Sequence, residues 1–245
     1  MGTGYRLGGQ LTAQAETAIR SADRLFYLAT QPGMAHLLKS LNPRAGSLHD
    51  CYREGEDGVA AAEEMVERIL APLRLGLAVC AAFSGHPGIF MRVPHECLRR
   101  ARAEGVIARL LPGVSIVDCL LADLEIESGT AGLQLFEATE FLLRPKTVDA
   151  RVPLVLLQAG ALGVVSWRET VEADRRGLRM LAEALRRHYP ASHEVVVYEV
   201  DALPPWESRI ARFALDSLAE APLTVVSTLC LPPRDDGPVQ GILPE

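Results

Sequence analysis

Leu75-Gly76-Leu77-Ala78-Val79-Cys80-Ala81-Ala82-Phe83 is an apolar run, and Ser84-Gly85-His86-Pro87-Gly88-Ile89-Phe90 interrupts it with two glycines and a proline. From Pro94 to Glu104 the spacing turns helical and arginine-rich, and Gly105 follows. An apolar run without polar alternation reads as a strand buried on both faces, and a glycine just past a helix reads as its C-cap. The order strand, glycine turn, helix is the unit of an α/β fold. Outward from this stretch the alternation continues. Leu11 to Ala22 has helical spacing with Thr12 as N-cap, and Arg24 to Ala29 reads as a short buried strand. Gly58 to Leu73 places Ala61, Met65, Val66 and Ile69 on one helical face, and Val106 to Leu111 is another strand. The first half therefore predicts a mainly parallel sheet.

The second half changes character. Strand patterns occur at Gly132 to Phe136, Val152 to Gln158, Glu194 to Glu199 and Pro222 to Leu229. Helical patterns run from Thr170 to His188 and from Trp206 to Ala219. That mixture suits a second α/β unit with its own sheet, and the boundary falls near Pro112-Gly113. Residues from Pro232 to Glu245 are rich in Pro, Gly and Asp and read as a tail.

Composition narrows the function. The 245 residues are 49% hydrophobic and 23% charged, which is ordinary for a globular protein and excludes disorder as the main state. Net charge is −6, from 25 basic and 31 acidic residues, with no basic block, which argues against nucleic acid as a ligand. The five cysteines form no C-x-x-C pair, and the first residues contain no secretory leader, so no disulfide framework is expected. The longest mostly apolar stretch, Val152 to Trp167, is shorter than the ~20 residues a membrane span needs. The expectation is a soluble, cytoplasmic protein. The six histidines show no H-E-x-x-H or other metal spacing, and no G-x-S-x-G is present.

Ser84 to Phe90 sits where a parallel sheet binds ligands, at the C-terminal end of a strand. It reads equally as a plain strand-to-helix turn. Leu111-Pro112-Gly113-Val114-Ser115 repeats the arrangement one strand later, where Ser115 could cap the next helix or meet a ligand. Gly2-Thr3-Gly4 with Gly8-Gly9 reads as a tight turn more than as a phosphate cradle, because the dinucleotide spacing and its preceding strand are absent. His86 reads as a turn-fixing side chain or as a general base. Tyr52 and Arg53 lie in the polar stretch Asp50 to Asp57, which is either a solvated loop or an overhang of the ligand crevice.

Taken together, Gly2-Thr3-Gly4, Ser84 to Gly88, Leu111 to Ser115 and Gln158-Ala159-Gly160 resemble the tetrapyrrole methylase family, the cobalt-precorrin methyltransferase-like fold. Within it the chain is most similar to the peptide backbone α-N-methyltransferases of borosin biosynthesis. That similarity rests on Gly85 to Phe90, Leu111 to Leu124, Phe136 to Arg144 and Ser227 to Pro233. The resemblance implies two α/β domains, 1–112 and 113–233, with a tail over 234–245. It also implies S-adenosylmethionine in the cleft between them, S-adenosylhomocysteine as product, and a homodimer. By motif, Gly85, Pro87, Gly88, Ile89 and Phe90 would line the cofactor from the first domain, Ser115 and Ile116 at the junction, and Gln158, Tyr198 and Thr228 from the second.

Three departures accompany the resemblance. The family begins with a strand before Gly-Thr-Gly, so the expected true start lies upstream of Met1. The borosin enzymes carry a tyrosine, an arginine and a second tyrosine where this chain has Tyr52, Gly58 and Ala62, and a further tyrosine where it has Ser84. Fused borosins carry their substrate after the catalytic region, so here a separate precursor peptide is expected. A backbone amide is a poor nucleophile that must lose its proton while negative charge develops on its carbonyl oxygen. Tyr52, with Arg53 or Arg6 turned inward in place of the lost arginine, and Ser84 and His86 beside them, form the candidate catalytic set. The expected function is N-methylation of peptide backbone amides. The alternatives are a methyltransferase for a tetrapyrrole or other small molecule, and a catalytically silent homologue.

Overall fold

Capping and periodicity set the first elements where the sequence puts them. The Thr12 hydroxyl accepts from the Ala15 amide at 3.1 Å and starts helix α1, Ala13–Ser21. Strand β1, Arg24–Leu28, follows. Helix α2, Met34–Leu41, and strand β2, Ala45–Ser47, come next; the sequence reading missed both because they are short. Helix α3, Gly58–Arg74, opens on Asp57, whose carboxylate accepts from the Val59 amide at 2.9 Å. Strand β3, Val79–Phe83, helix α4, Arg92–Ala103, and helix α5, Ile116–Asp123, complete the series. These coordinates are a computed structural model that describes residues 1–53, 55, 57–163 and 173–234.

The chain divides into two units. The first holds Met1–Ile126 and takes back Val200–Ser208. Its strands pair in parallel in the order β2-β1-β3, with Leu25 opposite Ala45 and Leu28 opposite Phe83. Period-two alternation sends Phe26 and Leu28 toward Met65, Val66 and Ile69 of α3, and Leu25 and Tyr27 toward Ile19 of α1 and Leu38 of α2. Both faces of β1 are thus covered, as an apolar run in a parallel sheet requires. The arginines of α4 are structural: Arg100 bonds Glu63, Glu67 and Glu96, tying α4 to α3.

The second unit contains α6 (Ser128–Ala131), β4 (Gln134–Glu137), α7 (Ala138–Leu143), β5 (Leu154–Leu157), α8 (Arg175–Leu185), β6 (Glu194–Glu199), β7 (Arg209–Ala214) and β8 (Thr228–Leu231). The sheet order is β4-β5-β8-β6-β7, with β4 and β5 parallel and the other pairs antiparallel. Leu178, Leu181 and Leu185 of α8 pack on Leu154, Leu156, Val195 and Val197. Asp174 caps α8 by accepting from the Arg176 amide at 3.0 Å; Thr170 to Glu172, where the helix was expected to start, lie outside the described residues.

Three expectations need correction. Trp206 to Ala219 is not a helix: it holds β7 and a 3-10 turn at Leu215–Glu220. The cause is pairing with β6, where Arg209 bonds Glu199 across the ladder at 2.8 Å and Arg212 reaches Glu194 at 2.6 Å. The strand expected from Pro222 begins only at Thr228, because Thr224 to Ser227 close a turn through Ser227 Oγ. Val106 to Leu111 joins no ladder among the described residues. Among the described residues, no helix is long and apolar enough to cross a membrane.

Candidate active site

The three glycine motifs of the first unit meet at one point. The Gly2 amide donates to Leu111 O at 3.1 Å, and Gly4 and Gly85 exchange backbone bonds of 3.2 and 3.0 Å. A Cβ at Gly113 would stand 2.8 Å from both the Cα and the carbonyl carbon of Gly2, and closer still to Gly85 O. A Cβ at Gly2 would in turn strike Gly85 O. Gly85 itself has φ +67 with the Tyr5 ring where a side chain would go. Only glycine allows three backbones to approach this closely. Motifs far apart in sequence are therefore one structure, built around the mouth of β3.

The loop that leaves this junction is held by its own side chains. His86 Nδ1 accepts from the Gly88 amide at 2.9 Å, which spends that nitrogen on the turn. The turn-fixing reading of His86 is the one the geometry supports. Ser84 Oγ donates to Gln31 at 2.9 Å and accepts from the Thr30 amide at 3.2 Å, linking the ends of β3 and β1. Phe90 ends the loop at φ 54, 45% exposed. A bulky residue in the left-handed region stores strain, and such outliers concentrate at ligand sites.

Ser115 caps α5 in a closed box. Its hydroxyl donates to Asp118 Oδ2 at 2.6 Å and accepts from the Asp118 amide at 3.1 Å, while its own amide donates to the same carboxylate at 2.6 Å. Hydroxyl and amide are both engaged in holding the helix start. What remains for a ligand there is Ile116 and the geometry the cap imposes.

Tyr52 faces a cavity of about 230 Å³, lined also by Leu28, Gly58, Ala62, Phe83 and Phe90. Burial, and next the Cys51 thiol beside it, push the Tyr52 phenol above its ordinary value. The two arginines weighed as substitutes are committed elsewhere. Arg53 pairs with Glu64 at 2.9 Å and its side chain is 53% exposed. Arg6 pairs with Asp123 of α5 at 2.7 Å, and Ser208 donates to the same carboxylate at 2.6 Å. Neither lines the Tyr52 cavity.

In the second unit, Gln158 follows β5 at φ 56, and the Ala159 amide donates to Ser227 O at 3.1 Å. Gly160 packs so closely on Thr224 O that no Cβ fits. Tyr198 and Thr228, both buried, are register partners on β6 and β8. Glu199 beside them is opposed by burial but held below the usual carboxylate range by bonds from Ser227, Thr224 and Arg209. Sequence reading missed Tyr5, Gln31 and Glu199. Tyr5 follows Gly-Thr-Gly directly, and that position was the one available signal.

Residues 1–202 match the family described as Tetrapyrrole (Corrin/Porphyrin) Methylases. The chain belongs to this family. Among curated proteins it is 33% identical, over 96% of its length, to the methyltransferase/ribosomally synthesized cyclic peptide dendrothelin A precursor of Dendrothele bispora. It is equally similar to the omphalotin A precursor protein of Omphalotus olearius, also at 33% over 96%. In both cases the match covers 57% of the relative, so this chain spans little more than half the length of those proteins. Its fold is that of solved methyltransferases. A cobalt precorrin-4 methyltransferase matches with a TM-score of 0.68 at 18% identity, covering 95% of this chain and 92% of the other. Uroporphyrin-III C-methyltransferase from Thermus thermophilus, solved with S-adenosylhomocysteine, matches at 0.63 and 19%, covering 95% of each chain.

Proposed function

We propose that this chain is an S-adenosylmethionine-dependent methyltransferase that N-methylates backbone amides of a peptide. The observation that carries the reading is the 33% identity, over nearly the whole chain, to proteins whose names join methyltransferase to peptide precursor. The tetrapyrrole enzymes share the fold at only 18–19% identity.

The residues fit the cofactor. Gly85, Pro87, Gly88, Ile89 and Phe90 form a loop with little side-chain bulk near its glycine junction, and Phe90 is held in a strained, exposed conformation at its end. Ser115 holds the α5 start so that Ile116 presents a fixed edge. In the second unit the same reading assigns cofactor contact to Gln158, Tyr198 and Thr228. Bound there, S-adenosylmethionine supplies an electrophilic methyl carbon. Tyr52 keeps its proton, because burial raises its pKa, so it would donate a hydrogen bond to the amide carbonyl as charge develops there, while the amide proton passes to solvent base. Ser84 and His86 act by fixing the loop rather than by touching the reacting atoms. Arg53, paired with Glu64, leaves the carbonyl to Tyr52. The reading also makes the protein a homodimer working in the cytoplasm, which light scattering and fractionation test.

The deciding experiment incubates the full chain with S-adenosylmethionine and an apolar synthetic peptide, then locates the added methyl by fragmentation. Methyl groups on backbone nitrogen are the expected result. Methylation of a uroporphyrinogen with untouched peptide would replace this reading with the tetrapyrrole one.

A further inference from the structure

Among the described residues, two polar side chains line the Tyr52 cavity, and both can donate hydrogen bonds: the phenol itself and Arg92. The rest of the lining is apolar or, at Gly58, contributes no side chain. A cavity with donors in an apolar frame selects an oxygen acceptor, and a guanidinium among those donors favours one that carries negative charge.

Arg92 is the first residue of α4. Three other arginines lie on that helix, and all are engaged. Arg99 donates to Glu96 at 2.6 Å, Arg100 bonds Glu63, Glu67 and Glu96, and Arg102 donates to Ala108 O at 3.0 Å. Arg92 alone of the four has no hydrogen bond or ion pair among the described residues. Its place in the helix does not account for it either. The first turn is the positive end of the helix macrodipole, which repels a cation, and α4 has no acidic residue there to offset that. The stability of α4 therefore gives no reason for an arginine at this position, whereas the cavity does. The segment that delivers it is also the one assigned to the cofactor. Gly85 to Phe90 runs on through Met91 into α4, and Phe90, Met91 and Arg92 line the cavity in succession.

We infer that Arg92 is a catalytic residue, whose guanidinium joins the Tyr52 phenol on the carbonyl oxygen of the amide being methylated. This role rests on the backbone-amide reading of the function. The amide proton passes to solvent base, and the charge it leaves is shared between the nitrogen and the carbonyl oxygen. The nitrogen then bonds to the methyl carbon as the bond from that carbon to sulfur breaks, and the sulfur keeps the electron pair. A neutral phenol meets the charge on oxygen with one hydrogen bond. A guanidinium adds a permanent positive charge and donors in a fixed plane. Once a peptide covers the apolar cavity, that attraction acts in a medium less screening than water. The same charge makes the amide proton easier to lose.

The test measures methylation of the apolar synthetic peptide by the full native chain and by Arg92→Met, Arg92→Lys and Arg99→Met. Arg92→Met should lower kcat about 10²-fold with KM within about threefold, because the lost contact belongs to the developing charge. Its melting temperature, and the shift with S-adenosylhomocysteine, should match those of the native protein. Arg92 is exposed, so millimolar methylguanidine should reach the vacated place and raise the Arg92→Met rate about tenfold. It should not raise the rate of the native chain or of Arg99→Met, which removes a charge from the same helix and should keep native activity. Arg92→Lys should fall between native and Arg92→Met, since it keeps the charge and loses the fork. An Arg92→Met kcat within about threefold of native, or a loss that methylguanidine leaves untouched, overturns the role of Arg92 and leaves the peptide reading standing. A native chain that methylates no backbone nitrogen overturns that reading and this inference with it.

Discussion

Gly113→Ala isolates the glycine junction. The Gly113 backbone lies outside the left-handed region, so alanine there carries no conformational strain. Its Cβ, however, would sit 2.8 Å from two backbone atoms of Gly2 and nearer still to Gly85 O. Backbone cannot rotate aside as a side chain can, so the loops must separate. Overpacking of this kind costs about 1–3 kcal/mol, and the rigidity of the three backbones places this case at the upper end. In a protein of this size about 3 kcal/mol lowers the melting temperature by roughly 6–12 °C. Gly105→Ala is the matched control. Gly105 has φ +80 and open space around it, so alanine there meets strain but no clash. That strain is about 1–2 kcal/mol, partly offset by the ~0.4–1 kcal/mol gained from a less free unfolded chain. Differential scanning fluorimetry on both variants, with and without S-adenosylhomocysteine, separates the effects. Gly113→Ala should lose both stability and most of the ligand-induced shift, because the Gly85–Phe90 loop is displaced; Gly105→Ala should keep the shift. If Gly113→Ala melts within a degree or so of Gly105→Ala and binds ligand normally, the three-backbone junction does not organise the site.

Other outcomes follow from single side chains. Tyr52→Phe should lower kcat by about 10²–10³ with little change in ligand-induced melting shift, since the phenol acts on developing charge. With the native enzyme the rate should rise with pH as the amide proton becomes easier to remove, then fall only above about pH 10, because burial holds the phenol protonated past its ordinary value; a rate flat from neutral pH upward contradicts this role. Ser115→Ala should cost about 1 kcal/mol through loss of the cap while leaving S-adenosylhomocysteine affinity within about twofold; a large affinity loss would mean that the hydroxyl meets the ligand. Glu199 has a depressed folded pKa, so its contribution is present above its unfolded value near ~4.3 and is lost as pH falls through the folded one. Melting curves of Glu199→Gln and the native protein should therefore differ at neutral pH and converge in acid.

How much was legible in the sequence depends on what each residue answers to. The buried face of α3 was readable because Ala61, Met65, Val66 and Ile69 answer only to helical period and burial. β6 was readable because Glu194 to Glu199 is bounded by turns and β-branched at its centre. β7 was not, because Arg209 to Ala214 takes its conformation from ion pairs and a ladder supplied by another strand. Ser84 and His86 were found by position, at the end of β3, but their partners Gln31 and the Gly88 amide lie on a loop and a backbone that no motif marks. Gly2, Gly85 and Gly113 were each visible as turns; that they touch is a fact of three dimensions.

The return of Val200–Ser208 to the first unit bears on how the protein is made. The Leu7 amide donates to Ala202 O at 2.9 Å, and Ser208 donates to Asp123. A chain emerging from the ribosome has its first 126 residues in hand long before these partners exist. Domains ordinarily fold in order of synthesis, N-terminal first. Here the loop that closes on the Leu7 amide and on the Arg6–Asp123 pair is not in place until Ala202 and Ser208 have been translated. The nascent first unit thus lacks its last closing loop, and cutting the gene after Ile126 would yield a fragment without it.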